Sequence, residues 1–324
     1  MIPERYSGYD TTVSLGVVNF TSVPGDVAAT LAKVEANIAE AGAQGIDILV
    51  FPEEALTGLG GCDACRAGVE HCDHHHGLAE TVPGPSTERI AEWCAQHDLY
   101  VAMGLVERDP HDADVLYNAA AFVGPDGIQG TYRKLHLGSL PWVTEGVTFT
   151  PGSALPVFET RFGPVGIQIC YDFWFNPELT RLLALKGARI ILNCCGTFAG
   201  PGKADYMRQT TATRAQENLC FVASANHVGG EQAPDSYGAG RVDGGRAADM
   251  LGHSTIAGPA FPRFSQIYAE AGDGEEIVSA TLSFEKLHRW EPIFPWREWR
   301  ATHQQGVSAL IADEFAKLAR PDAG

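Results

Sequence analysis

The sequence lacks the features of a membrane protein and of a nucleic-acid-binding protein. Its 324 residues contain no apolar run of 18, which argues against a transmembrane helix. Basic residues are scarce, 23 against 40 acidic ones, and the formal charge of −17 disfavours nucleic acid and anionic membranes as partners. Internal repeats and low-complexity stretches are also missing. These absences leave a globular protein with neither a membrane nor nucleic acid as its partner.

The N-terminus lacks the pattern of a secretory leader. Met1-Ile-Pro-Glu-Arg has no basic stretch followed by an apolar one. Eight cysteines suit a reducing compartment in which thiols stay unpaired. We therefore expect a cytoplasmic protein.

The segment around Cys170 combines a buried strand, a cysteine and a helix start. The apolar run Pro164-Val-Gly-Ile-Gln-Ile-Cys170 reads as a strand, and Asn176 and Pro177 suit the cap and first turn of a helix. A thiol beside a helix N-terminus feels a positive potential, which lowers its pKa and favours nucleophilic attack. The alternative is a core cysteine, because free cysteines are among the most buried residues. The segment alone leaves both interpretations open.

Two other predicted strands end at chemically active side chains. Residues 46–51 form an apolar run that leads to Glu53, and residues 128–133 form a run that leads to Lys134. In layered α/β folds, ligands and catalytic groups gather at the carboxyl ends of strands. The three strand ends thus suggest a site that contains a carboxylate, an ammonium and a thiol.

The order of these motifs resembles the nitrilase (carbon–nitrogen hydrolase) superfamily over about residues 13–287. The matching stretches are Phe51-Pro-Glu-Glu-Ala-Leu-Thr-Gly58, Tyr132-Arg-Lys-Leu-His-Leu137 and Gly166-Ile-Gln-Ile-Cys-Tyr-Asp172. Each motif is weak alone, but their shared order and spacing are specific.

The resemblance implies a role for each site residue. Glu53 would be the general base, Cys170 the nucleophile and Glu145 a supporting acid. Lys134 and the backbone N–H of Tyr171 would bind the oxyanion, and no cofactor is implied. Glu54, beside Glu53 in an extended segment, is expected to point elsewhere.

The implied activity is hydrolysis of a non-peptide carbon–nitrogen bond through a cysteine thioester. Cys170 is followed by Tyr-Asp rather than by the Trp-Glu associated with nitrile hydrolysis, which favours amide or N-carbamoyl substrates. Nitrile hydrolysis, acyl transfer to an amine, and an inactive binding member of the superfamily stay open. The spacing from Cys170 to Pro177 is one residue longer than is usual in the family, so the pocket wall there is undetermined.

The resemblance also implies the architecture. Because the motifs are interleaved along the chain, we predict one α/β domain over residues 1–289, an α-β-β-α sandwich of the nitrilase type. Residues 290–324 would form a C-terminal extension. Val307, Leu310, Ile311, Phe315 and Leu318 lie at helical spacing in it and predict an apolar stripe. In this family such tails pack on a partner subunit, so we expect a homodimer or a higher homo-oligomer.

Four aromatic residues near the strand ends are candidates for the substrate site. They are Trp142, Trp174, Phe175 and Phe198. Their number favours an apolar or aromatic acyl group, although aromatic residues at such positions serve equally as core filling.

A cysteine- and histidine-rich segment follows the Glu53 strand. Cys62 and Cys65 have the C-x2-C spacing of zinc ligands, and Cys72 and His74 come soon after. Only one such pair is present, and the family requires no metal. We therefore expect a reduced substrate-entry loop rather than a metal centre.

His136 permits a second hypothesis, a Cys–His pair of the protease type. A single histidine near a strand end is more often a structural hydrogen-bonding residue, and we expect that role here.

Overall fold

The computed structural model of the chain describes residues 2–59, 72–140, 143–229, 250–302 and 305–318, without the side chains of 139, 140, 143, 144 and 305. Within these residues the strands, β1 to β16 in chain order, are Thr12–Asn19, Ile48–Val50, Tyr100–Arg108, Leu116–Gly124, Gly127–Arg133, Ser139–Leu140, Val143–Thr144, Val157–Phe158, Val165–Ile169, Ile190–Cys195, Phe221–Asn226, Val228–Gly229, Met250–Leu251, Thr255–Ala260, Arg263–Glu270 and Glu276–Ser283. The helices, α1 to α10, are Val27–Ala43, Asp73–Leu78, Pro85–His97, Glu145–Thr148, Tyr171–Phe175, Pro177–Leu185, Lys203–Asn218, Phe284–His288, Trp296–Thr302 and Gln305–Leu318.

Two large sheets organise the described part of the chain. The first has the order β16-β1-β2-β3-β4-β5, with β1, β2 and β3 parallel and the other pairs antiparallel. The second has the order β15-β14-β11-β10-β9-β8, with β9, β10 and β11 parallel. Strands β2 and β5 of the first sheet lead to Glu53 and Lys134, and strand β9 of the second sheet leads to Cys170, so both sheets contribute predicted groups.

The two sheets pack face to face and each carries helices on its outer face. Apolar side chains of β1 and β2 meet those of β9, β10 and β11 in the core between the sheets. A second cluster joins the first sheet to α1 and α3, and a third joins the second sheet to α6 and α7. The α-β-β-α sandwich predicted from the resemblance is confirmed.

Helix α1 shows how the sequence specifies the outer layers. The Asp26 side chain accepts a hydrogen bond from the Ala29 N–H at 2.9 Å and caps the helix. The buried positions Thr30, Val34, Ile38 and Ala41 recur every three or four residues, so one face of the helix packs on the sheet. Within the described residues, no helix is both long and apolar enough to cross a membrane.

Strand β10 ends beyond the apolar run from which it would be predicted. The apolar residues that begin at Ala188 predict a strand over residues 188–193, whereas β10 is Ile190–Cys195. Cys194 and Cys195 pair with Ala225 and Asn226 of β11 and extend the ladder. Strand pairing rather than hydrophobicity therefore sets its end.

The start of the C-terminal extension packs on the chain's own second-sheet helices. Arg297 donates to the Ala184 carbonyl at 3.2 Å and to the Asn218 carbonyl at 2.8 Å. These carbonyls lie at the C-terminal ends of α6 and α7, where helices lack internal donors and attract cations. Beyond α9, the apolar stripe of α10 is exposed, with Leu310 at 57% and Phe315 at 54%.

The N-terminal part of the described chain contacts residues 276–291. Strand β1 pairs with β16 along its whole length, from Thr12 opposite Ser283 onward. Tyr6 stacks on His288 with ring centroids 4.8 Å apart, and Arg5 forms an ion pair with Glu291.

We predict that Gly104→Ala destabilises the fold and displaces Glu53. A Cβ atom at Gly104 would overlap the Pro52 carbonyl oxygen and lie 2.5 Å from the Glu54 nitrogen. Overpacking of this kind costs about 1–3 kcal/mol. Urea unfolding measures the loss, and the matched control is Gly77→Ala, where an added Cβ meets nothing within 4 Å. Equal unfolding midpoints for the two variants would contradict the prediction.

Candidate active site

Lys134 lies between two carboxylates in the interior. Its Nζ is 2.7 Å from Glu53 Oε1 and 2.7 Å from Glu145 Oε1. The side chains of Lys134 and Glu53 are each 2% exposed, and that of Glu145 is 13% exposed. Burial opposes the charged form of Lys134, but the charges of Glu53 and Glu145 outweigh it and hold its pKa well above the usual value. The two carboxylates therefore favour the charged form of the Lys134 ammonium.

The end of β5 directs Lys134 inward and its neighbour outward. Arg133 donates two hydrogen bonds to Glu107, both at 2.8 Å, and its guanidinium lies 3.7 Å from the Tyr117 ring centroid. The Lys134 N–H donates to the Asn118 carbonyl at 2.9 Å. Alternation along the strand thus gives the two cations separate surroundings.

Asn118 of β4 cross-links the two carboxylates, a role that the sequence did not reveal. Its Nδ2 donates to Glu53 Oε1 at 2.9 Å and to Glu145 Oε1 at 3.3 Å. Glu145 begins the short helix α4 instead of lying in a loop, and its second oxygen accepts a bond from the Gly138 N–H. The place of Asn118 beside Lys134 follows from the pairing of β4 with β5, in which Ala119 lies opposite Arg133, and the sequence alone does not show this register.

Cys170 directly follows β9 and has a positive φ, with φ 43° and ψ −99°. Its N–H donates to the Cys194 carbonyl at 3.0 Å and to Asn193 Oδ1 at 3.2 Å. Its Sγ lies 3.9 Å from the Gly196 carbonyl oxygen. A Cβ atom at Gly196 would lie 3.3 Å from Glu53 Oε2, so this glycine contacts both groups. The strained turn therefore presents the thiol on the side where Glu53 lies.

The thiol is protonated in the resting protein. Burial and the negative charge of Glu53 raise the pKa of Cys170, and the Lys134 ammonium only partly opposes the rise. The prediction of a lowered pKa at a helix N-terminus was wrong, because the adjoining helix α5 has only five residues and a carboxylate lies nearer. A nucleophile in this state needs a neighbouring base to remove its proton.

Glu54 is part of the site's electrostatics, contrary to the prediction that it points away. Its φ of 48° departs from an extended segment, and the residue is 3% exposed. Burial and the charges of Glu53 and Glu145 raise its pKa well above the usual value. The raised pKa favours the neutral form of Glu54, which adds no further negative charge beside Lys134.

His227 holds the backbone of Glu53. Its Nε2 is 2.6 Å from the Glu53 carbonyl oxygen and its Nδ1 is 3.1 Å from that of Phe20. Burial lowers the pKa of His227 to about 4, so the ring is neutral and carries a single N–H. The shorter distance favours donation from Nε2 to Glu53.

The chain after Cys170 turns at once into α5. Tyr171 is its first residue, and the first N–H groups of a helix have no internal acceptor, as a candidate oxyanion donor requires. Asn176 occupies the cap position of α6, but its Nδ2 donates to the Tyr171 carbonyl at 3.1 Å instead of capping. His136 Nδ1 lies 2.7 Å from Asp172 Oδ1, which agrees with a hydrogen-bonding role and leaves no support for a Cys–His pair.

The aromatic candidates occupy different surroundings. Trp174 is 6% exposed and packs in the cluster of the second sheet, 4.9 Å from the Phe173 ring. Phe175 is 59% exposed and lies 4.7 Å from the Tyr171 ring. Phe198 is half-buried and bridges to Met250, and Trp142 lies outside the described residues.

Part of the cysteine- and histidine-rich segment lies outside the described residues, including Cys62 and Cys65. Cys72 and His75 are buried, with Sγ 3.1 Å from Nδ1, whereas His74 contacts the His75 ring edge-on at 5.3 Å. In the part of the chain that the structure describes, no three His, Cys, Asp or Glu side chains are grouped to hold a metal ion.

Known proteins resemble this chain along most of its length. Residues 14–292 match the family profile of the carbon-nitrogen hydrolases. The omega-amidase NIT2 of Xenopus tropicalis is 30% identical over 272 residues, 81% of this chain and 86% of that protein. A nitrilase of Pyrococcus abyssi is 32% identical over 248 residues, 76% and 80% of the two chains. A carbon-nitrogen hydrolase of Helicobacter pylori G27 superposes with a TM-score of 0.76 at 21% identity, covering 93% of this chain and 98% of that one, which shows a shared fold.

We predict that His227→Gln weakens the acid sensitivity of the fold. The folded-state pKa of about 4 lies below the usual 6.5, so the stability that the neutral ring contributes is complete above pH 6.5 and is lost as the pH falls towards 4. That shift corresponds to about 3 kcal/mol. Glutamine keeps a donor for the Glu53 carbonyl and does not titrate.

Urea unfolding at pH 7 and pH 4 measures this difference. The wild-type protein should lose about 3 kcal/mol more than His227→Gln over that range. Replacement of the exposed His111 by glutamine is the control and should leave the wild-type slope unchanged. Parallel pH profiles for all three proteins would refute the assignment.

Proposed function

The chain belongs to the carbon-nitrogen hydrolase family of the nitrilase superfamily, and from this premise we propose that it hydrolyses an amide or N-carbamoyl compound through a thioester on Cys170. Carbon–nitrogen bond hydrolysis is the chemistry of the family. One observation carries the finer proposal: a protonated thiol, a carboxylate and a paired ammonium converge from three strand ends. That set supplies a nucleophile, a base and an oxyanion donor.

In the first half-reaction the sulfur of Cys170 attacks the carbonyl carbon as Glu53 accepts the thiol proton. The carbonyl π electrons move to oxygen, and Lys134 and the Tyr171 N–H stabilise the oxyanion. When the tetrahedral intermediate collapses, the carbon–nitrogen bond breaks and Glu53 returns the proton to the leaving nitrogen. Ammonia or an amine leaves, and the acyl group stays on sulfur as a thioester.

In the second half-reaction water takes the place of the departed amine. Glu53 removes a proton from this water, which attacks the thioester carbonyl. The same donors hold the second oxyanion, and collapse expels the Cys170 sulfur, which regains its proton from Glu53. Glu145 holds the Lys134 ammonium from the other side throughout. Lys134 therefore keeps its position as an oxyanion donor while Glu53 gains and loses a proton.

The residues after Cys170 favour amides or N-carbamoyl compounds over nitriles. Tyr171 and Asp172 stand where we associate Trp-Glu with nitrile hydrolysis. The similar proteins include both an omega-amidase and a nitrilase, so nitrile hydrolysis is the second candidate, followed by acyl transfer to an amine and by an inactive binding role. We propose that Trp142, Trp174, Phe175 and Phe198 contribute to the substrate wall, among which Phe175 has the exposure for direct contact.

The test is turnover of a substrate panel with detection of the covalent intermediate. Primary amides, N-carbamoyl amines and nitriles are supplied separately, ammonia release is measured, and the protein mass is recorded after rapid acid quenching. We expect release from amides or N-carbamoyl compounds and an acyl adduct on Cys170. Cys170→Ser should abolish both, and Lys134→Met should lower kcat by about 10²–10³-fold, the usual effect of losing one oxyanion donor.

The outcomes separate the candidates. Faster turnover of nitriles than of the matching amides would favour the second candidate. An adduct that is released only by added amines would indicate acyl transfer. No turnover and no adduct across the panel would overturn the hydrolase proposal. Unfolding of Lys134→Met must be checked, because it leaves two buried carboxylates unpaired, whereas Cys170→Ser leaves the ion pairs intact.

We also propose that residues 290–324 form an oligomer contact beyond the hydrolase domain of residues 1–289. The stripe of α10 is exposed although its side chains are large and apolar, with Val307 at 50% and Ile311 at 39%. Contiguous exposed apolar side chains of this kind mark interaction surfaces. A second copy of the chain is the occupant that the family resemblance favours.

We predict that the double variant Leu310→Asp/Phe315→Asp dissociates the oligomer. Two charges in an apolar interface must be desolvated without partners, which disfavours association. Light scattering after size-exclusion chromatography gives the mass, with Ala309→Asp on the opposite side of α10 as the matched control. A wild-type protein of monomer mass, or a double variant of unchanged oligomer mass, would contradict the proposal.

A further inference from the structure

Asp172 is a buried carboxylate that accepts four hydrogen bonds from residues on both sides of Lys134. Its Oδ2 accepts from the Tyr132 hydroxyl at 2.6 Å and from the Leu135 N–H at 3.0 Å. Its Oδ1 accepts from the His136 N–H at 2.8 Å and contacts His136 Nδ1 at 2.7 Å. Every donor lies within two residues of Lys134, and Asp172 itself is fully buried. The carboxylate therefore binds the chain by hydrogen bonds both before and after Lys134.

Asp172 is fixed equally well on its own side. It stands two residues after Cys170, and its carbonyl accepts a hydrogen bond from Gln168 Nε2 at 3.1 Å. Gln168 Oε1 in turn accepts from the Thr180 hydroxyl at 2.6 Å, and all of these groups are buried. A continuous hydrogen-bonded path thus runs from α6 through β9 and Asp172 to the backbone around Lys134.

We propose that Asp172 is a positioning residue that sets the distance between the Lys134 ammonium and the Cys170 thiol. It acts through Lys134 and touches no reacting atom. This inference rests on the proposed function, because it concerns the place where the oxyanion forms.

The need for such a residue follows from the geometry of Lys134. Glu53 and Glu145 fix only the tip of its four-carbon side chain; Glu53 follows β2 of the first sheet and Glu145 begins the short helix α4. Cys170 belongs to the second sheet. Asp172 is the carboxylate that joins the Cys170 segment to the Lys134 segment, across the boundary between the sheets. Reacting groups must be held to within about 0.5 Å, and a misplacement of about 1 Å can cost about 10²-fold in rate.

Asp172→Asn tests the proposal because the residues have the same shape. One carboxylate oxygen becomes an NH2 group, which faces N–H and O–H donors and cannot accept their hydrogen bonds. Part of the connection between Asp172 and the Lys134 segment is therefore lost. We expect kcat for the amide found in the panel to fall about 10²-fold with less than about a threefold change in KM. We expect modification of Cys170 by methyl methanethiosulfonate to keep its wild-type rate, because attack on sulfur forms no carbonyl oxyanion. Tyr132→Phe removes one of the four bonds and should lower kcat about tenfold with the same unchanged modification rate.

Glu107→Gln is the matched control. Glu107 is also a buried carboxylate bonded to a neighbour of Lys134, but it holds Arg133 on the opposite face of the strand. Its replacement should lower the unfolding midpoint and leave kcat unchanged. If Asp172→Asn behaves in the same way, or if its kcat and its thiol modification fall together, the positioning role is overturned.

Tyr132→Phe decides the question if Asp172→Asn does not fold. A wild-type kcat for this variant would overturn the positioning role, and a selective fall in kcat would support it. The failure of the proposed function looks different: the wild-type protein would then release no ammonia from any substrate although methyl methanethiosulfonate still modifies Cys170.

Discussion

A single buried ammonium between two carboxylates is the interaction on which the site depends. Removing a charge from water costs several kcal/mol, which Lys134 recovers only because Glu53 and Glu145 both reach it at 2.7 Å. Two carboxylates on one ammonium leave an excess negative charge, and the Asn118 amide donates to both of them. The raised pKa of Glu54 favours its neutral form, so that Glu54 adds no further negative charge to this excess. The same negative charge also raises the pKa of Cys170 and favours its protonated thiol. The carboxylates that stabilise the buried ammonium therefore also determine how readily the thiol loses its proton.

The predicted site residues were found where strand ends could be read from the sequence. Predicted strands led to Glu53, Lys134 and Cys170, and the superfamily resemblance supplied both the four-layer arrangement and the role that we propose for Glu145. The roles of Asn118 and Asp172 could not be read in this way, because they consist of contacts between segments that are far apart in sequence. The direction of the Cys170 pKa shift was missed for the same reason: the local helix was visible in the sequence, whereas the distance to Glu53 was not. Strand ends such as that of β10 were misplaced because pairing with β11, rather than apolar character, decides them.

Substrate choice is the property that the shared site determines least. In the proposed mechanism the residues that activate the thiol and bind the oxyanion would serve amides, N-carbamoyl compounds and nitriles alike, since each passes through attack on an electrophilic carbon. Discrimination must therefore come from the walls. There the short helix α5 inserts between Cys170 and α6, buries Trp174 and exposes Phe175. The additional residue before Pro177 lies in this same stretch, so the departure from the family pattern coincides with the part of the wall most free to vary.

The pairing of β1 with β16 has a consequence for how the protein is made. Glu53 follows β2, whose neighbour β1 takes its other partner from residues 276–283. In the sheet that carries the proposed base, β1 therefore lacks its second neighbour, β16, until residues 276–283 have left the ribosome. Contacts this distant in sequence slow folding, because the entropy of closing a long loop is lost before the strands gain their hydrogen bonds. A nascent chain can thus hold all of its chemically active residues and still have no active site, and the last strand of the fold determines when catalysis begins.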